Sequence, residues 1–134
     1  MSLATREPIR TLIQRPTLFV HLDDSLRRLA EIFTAESVGA AVVRGTHPPA
    51  LVSERDIVGA LADGVDPDGT FARDVMTEDL VVAAPGDLVL DVAARMLDNE
   101  VRHVPIVEDG VVVGVVSARD LLRVLAEHAV SSSA

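Results

Sequence analysis

The sequence predicts an α/β fold of two tandem βαββα repeats, which its mixed sheet would also let one file as α+β. Three observations predict it. The hexapeptide Val52-Ser53-Glu54-Arg55-Asp56-Ile57 recurs 64 residues later as Val116-Ser117-Ala118-Arg119-Asp120-Leu121. A quartet with helical spacing, Leu26, Leu29, Ala30 and Phe33, recurs 63 residues later as Val89, Val92, Ala93 and Met96. Between these landmarks each copy carries two short β-branched runs separated by turn residues. Self-similarity over such a period means that each copy is one supersecondary unit. One extra residue in the second hairpin reconciles the two offsets.

Each copy opens on a short strand, at residues 18–20 or 80–82. The quartet then marks a first helix, with Asp24 and Asp87 as candidate N-caps. Two strands follow, at 40–43 and 50–52 in one copy and at 104–107 and 111–116 in the other. They are apolar without alternation, as strands covered on both faces are. Residues 45–49, with the rigid His47-Pro48-Pro49, and Glu108-Asp109-Gly110 are the turns. Ile57, Ala60 and Leu61, and then Leu121, Val124 and Leu125, mark a second helix in each copy. The turn-rich stretch 63–70 joins the repeats, which run over residues 10–64 and 71–129. A copy of about 60 residues is marginal alone. The copies are therefore expected to pack with pseudo-twofold symmetry, the cleft between them becoming the natural pocket. Met1-Ser2-Leu3 reads as an expression scar, and the Ser-rich end from Val130 as a frayed tail.

Composition narrows the function. The 134 residues are 49% hydrophobic with only three aromatics, all Phe, so the core is built from aliphatic side chains. Without cysteine there is no disulfide, no thiolate chemistry and no cysteine-based metal site. A net charge of −9 argues against nucleic acid, whose binding draws on clustered Lys and Arg. No apolar run is long enough for a membrane span and the first residues do not read as a signal segment, so the protein is expected to be cytoplasmic with no membrane partner. His21, His47, His103 and His128 lack metal-ligand spacing. Asp63, Asp66, Asp68 and Asp74 lack the twelve-residue calcium-loop pattern and read as a solvated linker.

The repeated Ser-x-Arg-Asp has a plain structural reading. Ser followed three residues later by an acid, ahead of an apolar helix, is a capping box. Three features point beyond it. Arg55 and Arg119 place a phosphate-pairing guanidinium beside a helix N-terminus whose N–H groups attract anions. Gly114, where the first copy has Ala50, permits close backbone approach. An acid at such a position is a known holder of ribose hydroxyls.

These residues resemble a known family. Gly114-Val115-Val116-Ser117-Ala118-Arg119-Asp120 is similar to the Gly-x-x-Ser/Thr-x-x-Asp nucleotide motif of CBS domains. Arg102-His103-Val104-Pro105-Ile106-Val107 is similar to that family's Arg-His-x-Pro-Val-Val strand, and Asp74-Val75-Met76-Thr77 to the Asp-Val-Met-Thr that opens its repeats. The resemblance covers nearly the whole chain. It implies a two-repeat regulatory module, a Bateman module, that requires no cofactor and binds AMP, ADP, ATP or S-adenosylmethionine. It further implies that Asp120 binds ribose, that Ser117, Arg119, Arg102 and His103 face the phosphates beside Val104 and Pro105, and that Leu18 and Val20 wall the adenine. For the first copy it implies Ser53, Arg55 and Asp56, with Thr77, Leu80 and Val82 as the wall. There Gly39 and Ala40 stand in place of Arg102 and His103, so the second site is expected to be the anionic one.

The leading function is thus a nucleotide-sensing module that acts as a homodimer through the repeat helices, upon a regulated protein the sequence does not identify. The rival is a structural interaction module that binds no nucleotide. An enzyme is the weakest reading, since no base-and-nucleophile pair, metal set or phosphate loop is present.

Overall fold

A computed structural model describes the chain from residue 6 to residue 133, with side chains to residue 127. Met1-Ser2-Leu3 and the side chain of His128 lie outside the described residues. The chain divides into two compact units, the first Thr17–Leu80, the second joining the chain up to Pro16 to the chain from Val81.

In the first unit, β1 (Phe19–His21) runs parallel to β2 (Ala40–Arg44), and β2 pairs antiparallel with β3 (Ala50–Ser53). Helix α1 (Leu26–Glu36) presents Leu26, Leu29 and Phe33 to a core completed by Val20, Val43 and Val52. The helical spacing of the quartet is the cause, since it lines one face. Ile57 brings α2 (Glu54–Ala62) to the same core. A short α3 (Ala72–Val75) closes the unit.

The second unit repeats the plan with α4 (Val89–Asn99), β4 (His103–Glu108), β5 (Val111–Ser117) and α5 (Ala118–Ser133). Its core gathers Val89, Val92, Met96, Val104, Ile106 and Val116. The expected strand at 80–82 does not form. A single parallel bridge from Ala83 to Ile106 replaces it, with hydrogen bonds of 3.1 and 2.8 Å. Pro85 has no N–H to continue a ladder, and the turn at 84–87 takes the chain away. The extra residue of the second hairpin appears as a register shift between Ile106 and Val107, while Asp109 and Gly110, both at positive φ, make a two-residue turn. Nor does the helix fray at Val130: α5 continues to Ser133, because no Gly or Pro interrupts it.

The N-caps also differ from expectation. Ser25 caps α1, accepting from the Arg28 N–H at 3.1 Å, and α4 has Leu88 at its N-cap position, without a side-chain bond. Asp24 and Asp87 instead reach backward, accepting from the N–H groups of His21 and Ala84. Each carboxylate closes the turn before its helix.

One repeated feature rests on a single identity, Arg10 with Arg73. A turn of 3-10 helix, Ile9–Leu12, matches α3 at the offset of 63. Ile9 donates to the Asp87 carbonyl as Ala72 donates to Asp24, and Arg10 to Pro85 as Arg73 to Leu22. Pro8 bridges Leu88 as Phe71 bridges Ser25. Each opening segment therefore packs in the unit built mainly from the other repeat.

Candidate functional site

The β5–α5 junction gathers most of the residues singled out in the second copy. His103 lies opposite Ser117 in the β4–β5 register, and the Arg102 carbonyl accepts from the Ala118 N–H at 2.8 Å, fixing the start of β4 against the start of α5. The Asp120 carboxylate accepts from the Ser117 N–H at 2.8 Å, while the Ser117 hydroxyl accepts from the Asp120 N–H at 3.1 Å. The capping box is thus complete. It engages only Oδ2 of Asp120, leaving Oδ1 to accept from another partner. Arg102 and Arg119 are exposed, and among the described residues neither enters an ion pair. Arginines carried next to a helix N-terminus are of the kind that attracts an anion.

The β3–α2 junction has the same backbone. Ala40 pairs with Ser53, the Gly39 carbonyl accepts from the Glu54 N–H at 2.9 Å, and Ser53 and Asp56 form a complete box. Asp56 is also tied to the Ser53 hydroxyl at 3.0 Å. Arg55 is exposed, and it is the one cation of the motif here.

The remaining residues are placed less simply. Val104 and Pro105 are fully buried, so their side chains belong to the interior and only their backbone borders the corner. Val20 is also buried, in the core of its own unit, and Leu18 packs partly against that core. Thr77 is exposed and pairs with Leu51 through two backbone hydrogen bonds. Leu80 is half-buried and Val82 exposed.

Gly114 is read differently in three dimensions. A Cβ there would meet the Ile13 side chain at 2.7 Å, so the missing side chain makes room for Ile13 rather than for a ligand. Sequence reasoning missed Ile13 and the whole opening segment. The signal was present, because Ile9, Arg10, Leu12 and Ile13 recur as Ala72, Arg73, Val75 and Met76.

Asp87 is the one clearly shifted carboxylate near this unit's loops. The Ala84 N–H first, and then Arg95 at 2.7 Å, hold it below the ordinary carboxylate range. Arg95 also donates to the Val82 carbonyl at 3.2 Å, pinning that loop. Among the described residues no cluster of three or more potential ligands could hold a metal, and no helix is long and apolar enough to cross a membrane.

A family profile described as CBS domain matches the chain twice, over residues 9–63 and 72–127. The uncharacterized protein MJ1225 of Methanocaldococcus jannaschii is 30% identical over 124 residues, covering 91% of this chain and 44% of that protein. The mitochondrial CBS domain-containing protein CBSX3 of Arabidopsis thaliana is 33% identical over 119 residues, covering 83% and 58%. The chain spans about half the length of these curated relatives. Among solved structures, the CBS domain protein PAE2072 from Pyrobaculum aerophilum, complexed with AMP, superposes with a TM-score of 0.78 at 32% identity, over 92% of this chain and 98% of that one.

Proposed function

The chain belongs to the CBS-domain family, and from that premise we propose that it is a regulatory module whose Arg102–Asp120 corner binds an adenosine nucleotide. The observation that carries this reading is the placement of Arg102, Arg119, Ser117 and Asp120 around the start of one helix, with Oδ1 of Asp120 outside the capping box. The guanidiniums suit a phosphate, and the carboxylate oxygen suits a ribose hydroxyl. Capping and binding do not compete, since the box uses the other oxygen. The AMP bound by PAE2072 supports the same ligand class here.

Of AMP, ADP, ATP and S-adenosylmethionine, the phosphate-bearing ligands fit this corner best. The Ser53–Asp56 corner, lacking Arg102 and His103, suits a neutral adenosine compound or stays empty. The protein acts as a cytoplasmic homodimer, not as an enzyme. Val58 and Leu61 on α2 and Leu122 and Leu125 on α5 support that assembly, being exposed apolar residues at matched positions of the two repeats. Ligand then shifts the affinity for a regulated protein.

Calorimetric titration of AMP tests the reading. Asp120→Ala is expected to weaken AMP about tenfold or more and Asp56→Ala less than about threefold, the two variants losing equivalent capping boxes. Equal losses would refute the asymmetry. Complete capping boxes at both corners favour the structural module as second reading, and no heat with any adenosine compound would select it.

A further inference from the structure

The matching of the two opening segments breaks at one point. Thr77 pairs with the β3 edge at Leu51, through hydrogen bonds of 2.8 and 3.0 Å. Their counterparts, Gln14 and Val115, do not bond to each other, and among the described residues Gln14 makes no hydrogen bond at all. The cause lies one residue earlier. Ile13 leaves its helical turn at ψ 103°, whereas Met76 leaves α3 at ψ 154°, which turns the following peptide in a different direction. Ile13 is wedged over Gly114, while the twin pair is Met76 and Ala50. A β-branched side chain is stiff and thick beside the backbone; methionine bends around its neighbour.

We propose that residues 13–14, hinged on the buried turn Ile9–Leu12, are a strap with two positions, held open by the wedge of Ile13 on Gly114 and closed when Gln14 pairs with the β5 edge at Val115. Closure adds a bridge to the open edge of β5, the strand that ends in Ser117, as Thr77 adds one to β3. Resting on the nucleotide reading of that corner, the proposal makes strap closure the step that ligand selects. A nucleotide that contacts the closed corner better than the open one shifts the population toward it.

Amide hydrogen exchange on the full chain, followed by NMR, tests this with AMP as the probe. The Gln14 and Val115 amides are expected to exchange rapidly in the free protein and about tenfold more slowly at saturating AMP, with Thr77 and Leu51 unchanged. The double variant Ile13→Met/Gly114→Ala transplants the first unit's pair. It is expected to protect both amides without AMP and to bind AMP several-fold tighter by calorimetry. Ile13→Met alone, which adds no atom at position 114, gives the same readouts should the double variant not fold. AMP binding with both amides unchanged overturns the strap and leaves the nucleotide reading standing. The absence of AMP heat in wild type and variant alike overturns both.

Discussion

The corners at Ser53 and Ser117 share a backbone and differ in what surrounds it. Both set an extended residue opposite the Ser, tie a carbonyl to the first helical N–H and close a capping box. Around that frame the first corner carries Gly39 and Ala40, the second Arg102 and His103. The opening segments differ in the same way, with Ile13 wedged over Gly114 in one unit and Met76 and Ala50 at the matching positions of the other. The shared part is what the fold needs to start a helix from a strand. The unshared part is where function can differ without disturbing that fold.

The two units differ most in what anchors the opening segment, and Ile9 is the anchor of the second. It is fully buried in the second unit, where the first unit has the small Ala72. Ile9→Ala should cost about 3 kcal/mol of unfolding free energy, measured in urea, and release the opening segment. Next comes Gly114→Ala, whose new Cβ meets Ile13 and should cost about 2 kcal/mol, with Ile13→Met recovering most of it in a double-mutant cycle. Ala50→Gly, the reverse exchange in the first unit, should cost about 1 kcal/mol.

The smallest effect is electrostatic. Asp87→Asn should cost about 1 kcal/mol at neutral pH, more than Asp24→Asn, because only Asp87 has an arginine partner. The folded state holds the Asp87 pKa below its unfolded value. Its contribution is therefore fully present above the ordinary carboxylate range and is lost as pH falls through the folded value. Urea midpoints of wild type and Asp87→Asn should converge as pH drops below about 4.

Much of this was legible in the sequence. The repeat, both helix pairs, the hairpins and the capping boxes follow from periodicity and turn chemistry, which act locally. What was not legible depends on distant partners. Residues 80–82 are apolar enough for a strand, yet Pro85 and the turn held by Asp87 prevent it. Asp24 and Asp87 look like caps, but their carboxylates are satisfied upstream. Gly114 read as space for a ligand because nothing in the sequence puts Ile13 beside it. At the site, the gathering of Arg102, His103, Ser117 and Asp120 was readable from the motifs. The burial of Val104, Pro105 and Val20 was not.

On the proposed reading, the Arg102–Asp120 corner distinguishes adenosine ligands by their charge. Paired titrations of AMP and uncharged adenosine into wild type and Arg102→Ala test it most directly. The expected result is AMP tighter than adenosine by about tenfold or more in wild type, the gap shrinking to about twofold in Arg102→Ala. Equal affinity of wild type for AMP and adenosine would contradict it.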